Sequence, residues 1–281
     1  MIGQAQRVFE LKSLFGKEKT NRNGKILAFT SGKGGTGKSI LSLNIAYALT
    51  KLDKKVLLID LDLNFANLNI LLNISPEKTI YDFYLSKSFL NEIIYPYSKN
   101  LDIIFGISGK TDFPTPLSNF AHSFMLSLGK LETEYDFIIL DTAAGSSGIS
   151  LDFLSHTDMN ILVATPEPTA IMDAYVMIKL IKNSRIPTEN ALLINKCENE
   201  QSASDAFGNL DKAVQHFLKD SVRMLGWVYQ DQLVVKSILN QELLLSSFPE
   251  ATASASIEQL AEKLLEIKQL ANIHHPKISS L

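Results

Sequence analysis

The chain has 281 residues, which permits one large α/β domain with a substantial core. Hydrophobic residues make up 46% and charged residues 20%, ordinary globular values, and no apolar run approaches the length that spans a membrane. The net charge of −3 gives no general electrostatic attraction to DNA. The single cysteine, Cys197, excludes an intrachain disulfide framework; it reads as a small buried hydrophobe.

Residues 1–24 stand apart as an N-terminal amphipathic helix and linker. Residues 1–25 carry six basic and two acidic side chains. Ile2, Ala5, Val8, Phe9, Leu11, Leu14 and Phe15 could form one apolar stripe on a helix. Gly16 to Gly24 then reads as a polar linker, with Asn23-Gly24 as a turn. The N-terminus lacks the long apolar core of a secretory signal, so a cytoplasmic protein is expected.

From Lys25 the pattern changes. Lys25 to Ser31 is an apolar run of buried-strand type, and Ser39 to Thr50 carries apolar residues at helical spacing. Between them lies Gly32-Lys33-Gly34-Gly35-Thr36-Gly37-Lys38-Ser39, which satisfies G-x-x-x-x-G-K-[ST] in the strand-to-helix context that the motif requires. Glycines let successive N–H groups turn inward as a nest for phosphate oxygens. The helix N-terminus adds unpaired donors and a partial positive charge. Lys38 is expected on the β- and γ-phosphates and Ser39 on Mg²⁺.

Further strands are predicted at 55–60, 101–106, 136–141, 160–165, 191–195 and 222–229. Helical patterns lie around 117–132, 168–183 and 205–219, and a long amphipathic segment at about 254–272 closes the chain. Strands alternating with helices predict an α/β fold: a single P-loop NTPase domain over 25–281, with a mostly parallel sheet covered by helices on both faces. Ligands bind such sheets at the carboxyl ends of the strands. Asp60, Asp62 and Asp141 sit at such ends, where a carboxylate can hold Mg²⁺ or orient an attacking water. Gly145, four residues past Asp141, can bring its N–H near a γ-phosphate.

Together these residues resemble the deviant Walker A ATPases of the MinD/ParA type. Lys33-Gly-Gly-Thr-Gly-Lys38-Ser39 matches their K-G-G-x-G-K-[ST]. Asp60-Leu-Asp62 with Asn67-Leu-Asn69 is similar to their first switch, and Asp141-Thr-Ala-Ala-Gly145 to their second. Within the group the chain most resembles the FlhG (YlxH) branch, which controls flagellar number and placement. Thr165-Pro-Glu-Pro-Thr-Ala170 with Asp173-Ala-Tyr175, Ile40 after the loop, and the N-terminal extension carry that likeness. Gln4-Ala5 is similar to a degenerate copy of the branch's D-Q-A-x-x-L-R element, with Gly3 in place of the acid.

The resemblance implies ATP/ADP and Mg²⁺ as ligands and an ATP-dependent homodimer with slow hydrolysis. It makes Lys33 the lysine that crosses to the partner subunit's phosphates, Lys38 and Asp62 catalytic, and Asp60 and Asp141 supports for Mg²⁺. Asn195 is implied to contact adenine, flanked by Tyr229, Gln230 and Asp231, with Tyr229 replacing a usual proline. Gln4 and Ala5 are implied to act on an SRP-type GTPase, FlhF. A MinD-type division-site regulator and a ParA-like cargo or chromosome positioner are the alternatives; the charge counts against DNA binding. Many relatives end in a basic membrane helix. Here Ile257, Leu260, Leu264, Leu265, Ile267 and Leu270 share a face with glutamates nearby, so core packing is expected, with peripheral membrane contact the alternative. Trp227, Met172 and Met177 are expected in the core, and His274-His275 in a solvated tail.

Overall fold

The computed structural model describes residues 24–273 except 64, 110–116, 130, 132 and 146–147. The expected N-terminal helix with Gln4 and Ala5, and the His274-His275 tail, lie outside the described residues.

Eight strands form one sheet in the order β3-β4-β2-β5-β1-β6-β7-β8. They are β1 (Lys25–Thr30), β2 (Val56–Leu61), β3 (Tyr95–Ser98), β4 (Leu101–Ile104), β5 (Phe137–Thr142), β6 (Met159–Ala164), β7 (Glu189–Cys197) and β8 (Arg223–Tyr229). All pairings are parallel except β3 with β4. Strands β2, β5 and β6 are buried along their whole length, which is why they read as continuous apolar runs rather than alternating ones. Strand β3 was not foreseen. Its Pro96 removes a ladder donor and confines it to the sheet edge, and its register breaks between Pro96 and Ser98.

The helices are α1 (Lys38–Lys51), α2 (Leu68–Leu71), α3 (Ile80–Tyr84), α4 (Leu117–Leu128), α5 (Gly148–Leu154), α6 (Pro168–Asn183), α7 (Glu200–Ala213), α8 (Gln232–Asn240), α9 (Leu244–Ser247) and α10 (Thr252–Ile273). Alternation along β1 divides the core. Ile26 and Ala28 join a cluster with residues of α4, α5, α6 and α7. Leu27 and Phe29 join the other, with residues of α1 and α10. The segment expected as helix over 205–219 begins earlier, at Glu200, and its last turn is a π-helix, Val214–Leu218.

Helix α10 resolves the question about the final amphipathic segment. Ile257, Leu260, Ala261 and Leu264 are buried against the sheet and α1, while Glu258 turns outward to pair with Lys51 at 3.0 Å. Lys268 anchors the far end, donating to the Asp136 carboxylate at 2.7 Å and to its carbonyl at 3.0 Å. The apolar face of α10 from Ile257 to Leu264 is therefore core, with Leu265 and Ile267 partly buried against it, while the Leu270 side chain lies outside the described ones. Trp227 is half-buried against the core, as expected. The pairing of Met172 with Met177 as core residues is corrected: Met177 is 1% exposed and Met172 is 60% exposed. The two differ by five positions on α6, about 500° of helical rotation, which turns Met172 well away from the buried stripe. Among the described residues, no helix is long and apolar enough to cross a membrane.

If α10 is structural, Ile257→Ala removes a fully buried side chain and costs about 2–5 kcal/mol. Urea unfolding should show this loss; an unchanged midpoint would mean that the helix does not contribute to the fold.

Candidate functional site

The phosphate loop joins β1 to α1 at the centre of the sheet, where β1 sits between β5 and β6 and the chain moves to either side. Two of its glycines are sterically required. A Cβ on Gly32 would lie 2.5 Å from the Asp173 Cβ, and one on Gly37 would lie 2.2 Å from the Asn195 side-chain nitrogen. Gly37 also takes φ +89° as the N-cap of α1, a conformation that L side chains rarely adopt. Ser39 and Ile40 occupy the first turn of α1, so the free N–H groups of that turn face the loop.

Strand β7 braces the loop from the side. Asn195 Nδ2 donates to the Thr36 carbonyl at 2.8 Å, and Lys196 Nζ donates to the Gly35 carbonyl at 2.8 Å. Lys196 adopts φ +59°, which turns the chain back toward the loop. Asn195, expected at adenine, is a structural clamp on the loop in this structure, and Lys196 of the same strand is a second clamp that the sequence pattern does not reveal.

The two lysines of the loop have separate partners. Lys38 is 8% exposed, and its Nζ lies 2.6 Å from Asp141 Oδ1 and 3.3 Å from Ser39 Oγ. Lys33 is half-buried and donates to Thr169 Oγ1 at 3.1 Å, in the first turn of α6. Thr169 was not foreseen as a site residue. The only sequence signal for it was its place in the Thr165–Ala170 segment, read there as a family likeness.

Asp60 and Asp141 face each other in register on β2 and β5, both about 1% exposed. Asp141 Oδ2 is buried with no hydrogen-bond partner. Asp60 accepts N–H groups from Asp62 at 3.1 Å, Asn67 at 3.1 Å and Leu68 at 3.2 Å, so it holds the whole first switch loop and the start of α2. Burial, and then the negative charge of Asp141, push its carboxyl up to about 7 against these stabilising amides. Asp62 accepts the Phe65 N–H at 2.9 Å, closing a turn inside the same loop. In the second switch the Gly145 N–H donates to the Ser31 carbonyl at 2.8 Å, so it is engaged with the head of the phosphate loop.

The expected adenine segment follows β8. Gln230 donates its N–H to the Cys197 carbonyl at 2.9 Å, placing Tyr229 and Gln230 beside the end of β7 and Asn195. Asp231 has a structural task there. It N-caps α8 through Leu233 N at 2.8 Å and accepts from Thr252 Oγ1 at 2.8 Å and Ala253 N at 3.2 Å at the start of α10. Burial raises its pKa, but these donors outweigh it and leave the carboxyl below its ordinary range.

The donor set suits Mg²⁺: hard oxygens from Ser39, Asp60, Asp62 and Asp141, with the unpartnered Asp141 Oδ2 among them. Among the described residues no ready-made cage of three or more His, Cys, Asp or Glu ligands forms.

A pH dependence follows from Asp60. An unfolded carboxyl loses its proton near 3.8, whereas the folded one keeps it to about 7. Between these values the folded state binds the extra proton, so the stability of the nucleotide-free protein falls as pH rises from about 4 to about 7. Asp60→Asn should flatten that slope in urea titrations; an equal slope in the variant would contradict the assignment.

Comparison with known proteins agrees with this geometry. Residues 24–194 match the family described as an AAA domain. The chain is 30% identical to the antiactivator FleN of Pseudomonas aeruginosa over 85% of this chain and 86% of that protein. It is also 30% identical to the flagellum site-determining protein YlxH of Helicobacter pylori, over 91% and 86%. The fold matches the septum site-determining protein MinD of Pyrococcus horikoshii, solved with Mg-ADP, at a TM-score of 0.73 and 24% identity, covering 91% of this chain and 100% of that one. The loop with two lysines, the paired aspartates on adjacent strands and these relatives together make the chain a member of the MinD/ParA-type P-loop ATPases, most like the FleN and YlxH (FlhG) branch.

Proposed function

We propose that this protein is an ATP-dependent dimerising switch that hydrolyses ATP slowly and regulates flagellar number or placement from the cytoplasm, through a partner and peripheral membrane contact. The observation that carries the reading is the division of labour between the lysines. Lys38 is buried on Asp141 inside the subunit, whereas the half-buried Lys33 turns away from that carboxylate and donates to Thr169. A lysine of the phosphate loop that is not committed to its own subunit's carboxylates supports a role on a triphosphate held by another copy of the chain.

In this reading the backbone of residues 32–39 cradles ATP, with Asn195, Tyr229 and Gln230 beside the base. Ser39, Asp60, Asp62 and Asp141 would hold Mg²⁺, directly or through its waters. Bound Mg²⁺ supplies neutralisation of the phosphate charge. Lys38 exchanges Asp141 for the phosphates, which leaves Asp141 for the cation shell. Asp62 orients the attacking water. Gly145 exchanges the Ser31 carbonyl for a γ-phosphate oxygen and so reports its presence. Lys33 leaves Thr169 and completes the partner subunit's site, so hydrolysis waits on assembly. The relatives' names, an antiactivator and a flagellum site-determining protein, support regulation of flagella as the output.

Asp62→Ala should bind ATP with Mg²⁺, stay unhydrolysed and elute as a dimer in gel filtration with light scattering; a monomer under those conditions contradicts the dimer switch. Lys33→Ala should lower turnover by about 100-fold or more, the scale of losing one charge-stabilising donor. For the N-terminal partner site at Gln4 and Ala5, a peptide of residues 1–20 should raise the turnover of the SRP-type GTPase FlhF. No effect at high peptide concentration would remove that part of the reading.

A further inference from the structure

Helix α6 presents an apolar face that the ATPase reading leaves unused. Between α6 and α7 runs a groove of about 480 Å³ lined by Pro166, Pro168, Ile171, Tyr175 and two strongly exposed residues, Met172 and Phe217. Met172 is 60% and Phe217 70% exposed. The π-helical turn at Val214–Leu218 contributes Phe217 to the groove. Such a turn widens the helix locally and redirects its side chains. Here Phe217 reaches across to the Tyr175 ring, edge to face at 6.4 Å. The turn is fixed at its end: Lys182 Nζ donates to the Leu218 carbonyl at 2.6 Å and to Asp220 at 2.9 Å, and Lys219 turns the chain at φ +51°. A methionine and a phenylalanine held over an open apolar groove mark a docking surface.

The position of the groove selects its occupant. The exposed charges of the two helices include both signs, Glu167 and Asp205 as well as Lys179 and Lys212, so they lack the dense basic character that anionic lipid requires. The chain itself carries a matching element: residues 2–15, with one apolar stripe that includes Ile2, Val8, Phe9 and Phe15. The described chain begins at Gly24, just before β1, at the end of the sheet where Leu27 aligns with Met159 and Met159 with Glu189. The π turn leads through Asp220 into the start of β8, at that same end. Strand β1 is two strands from β7 and three from β8, about 10–15 Å. The linker Gly16 to Gly24 spans up to about 30 Å when extended, so it reaches. A tether this short holds the segment at an effective concentration of the order of millimolar.

We propose that residues 2–15 dock as an amphipathic helix in the α6–α7 groove of their own chain, covering Met172 and Phe217. The contact rests on these surfaces alone and is independent of the ATPase reading. Where that reading holds, docking withholds Gln4 and Ala5 from a partner and places the segment on the helix whose first turn carries Thr169.

Hydrogen exchange of the full chain without nucleotide tests the contact. In the unmodified protein, amides within 2–15 are protected, and Phe217→Glu and Phe9→Glu each reduce that protection by about tenfold or more, as expected for a locally opening segment. Both positions can be changed without disturbing the core, which a matched thermal midpoint for the variants verifies. Absence of protection in the unmodified chain overturns the proposal. So does protection that Phe217→Glu leaves intact, or protection that rises with protein concentration, which would place the segment on a second copy. None of these outcomes depends on ATP binding, so failure here is distinguishable from failure of the dimer switch.

Discussion

Two buried carboxylates share one buried ammonium, and the rest of the site is arranged around that imbalance. Asp60 and Asp141 face each other on neighbouring strands, and Lys38 lies 2.6 Å from Asp141. Each carboxylate costs solvation on burial, and the lysine can compensate only one in full. Asp60 is compensated by backbone amides of the first switch, at the expense of an ionisation held near 7. The structure therefore stores a deficit of positive charge at the point where Mg²⁺ and a triphosphate are proposed to bind. A cation relieves the carboxylate pair, and phosphate oxygens give Lys38 another partner.

The same logic extends outward through contacts that are complete but exchangeable. Gly145 is satisfied by Ser31, Lys33 by Thr169, and Asp62 by Phe65. Each of these groups belongs to the phosphate loop or to one of the switches, and each spends its hydrogen bond on another part of the same machinery. Ligand binding that takes one of these partners shifts the segment that held it. By contrast, Asn195 and Lys196 donate to loop carbonyls, and Asp231 ties the starts of α8 and α10 together. Those bonds do not compete with a phosphate; they hold the frame against which the switches move.

Much of this was legible in the residues. The strand–glycine loop–helix succession and the three acids after apolar runs are visible in the sequence, because central parallel strands are buried on both faces and read as apolar runs, and the fold brings Asp60, Asp141 and Lys38 together. The long final segment is expected in the core because glutamates sit among its apolar residues where an interfacial helix carries lysine and arginine, and its packing against α1 agrees. What escaped the sequence depends on tertiary neighbours. Strand β3 was missed because Pro96 masks an edge strand that exists only by pairing with β4. Met172 was assigned to the core from spacing, but a five-residue separation does not return to the same helical stripe. The double capping by Asp231, the clamp by Lys196 and the Lys33–Thr169 bond join residues far apart in the chain, so no local pattern announces them. Nor could spacing show that α7 ends in a π turn that turns Phe217 outward.

The central claim is that Lys33 acts on the partner subunit's nucleotide while Asp62 acts on its own. Mixing Lys33→Ala with Asp62→Ala tests it directly. Each variant alone lacks one essential group in every site. In a mixed dimer, the Lys33→Ala subunit keeps its own Asp62 and receives Lys33 from its neighbour, so one site is intact. Steady-state phosphate release should therefore reappear on mixing two inactive proteins and vanish on dilution below the dimer's stability range. If mixed dimers form and remain inactive, Lys33 works within its own subunit and the account is wrong.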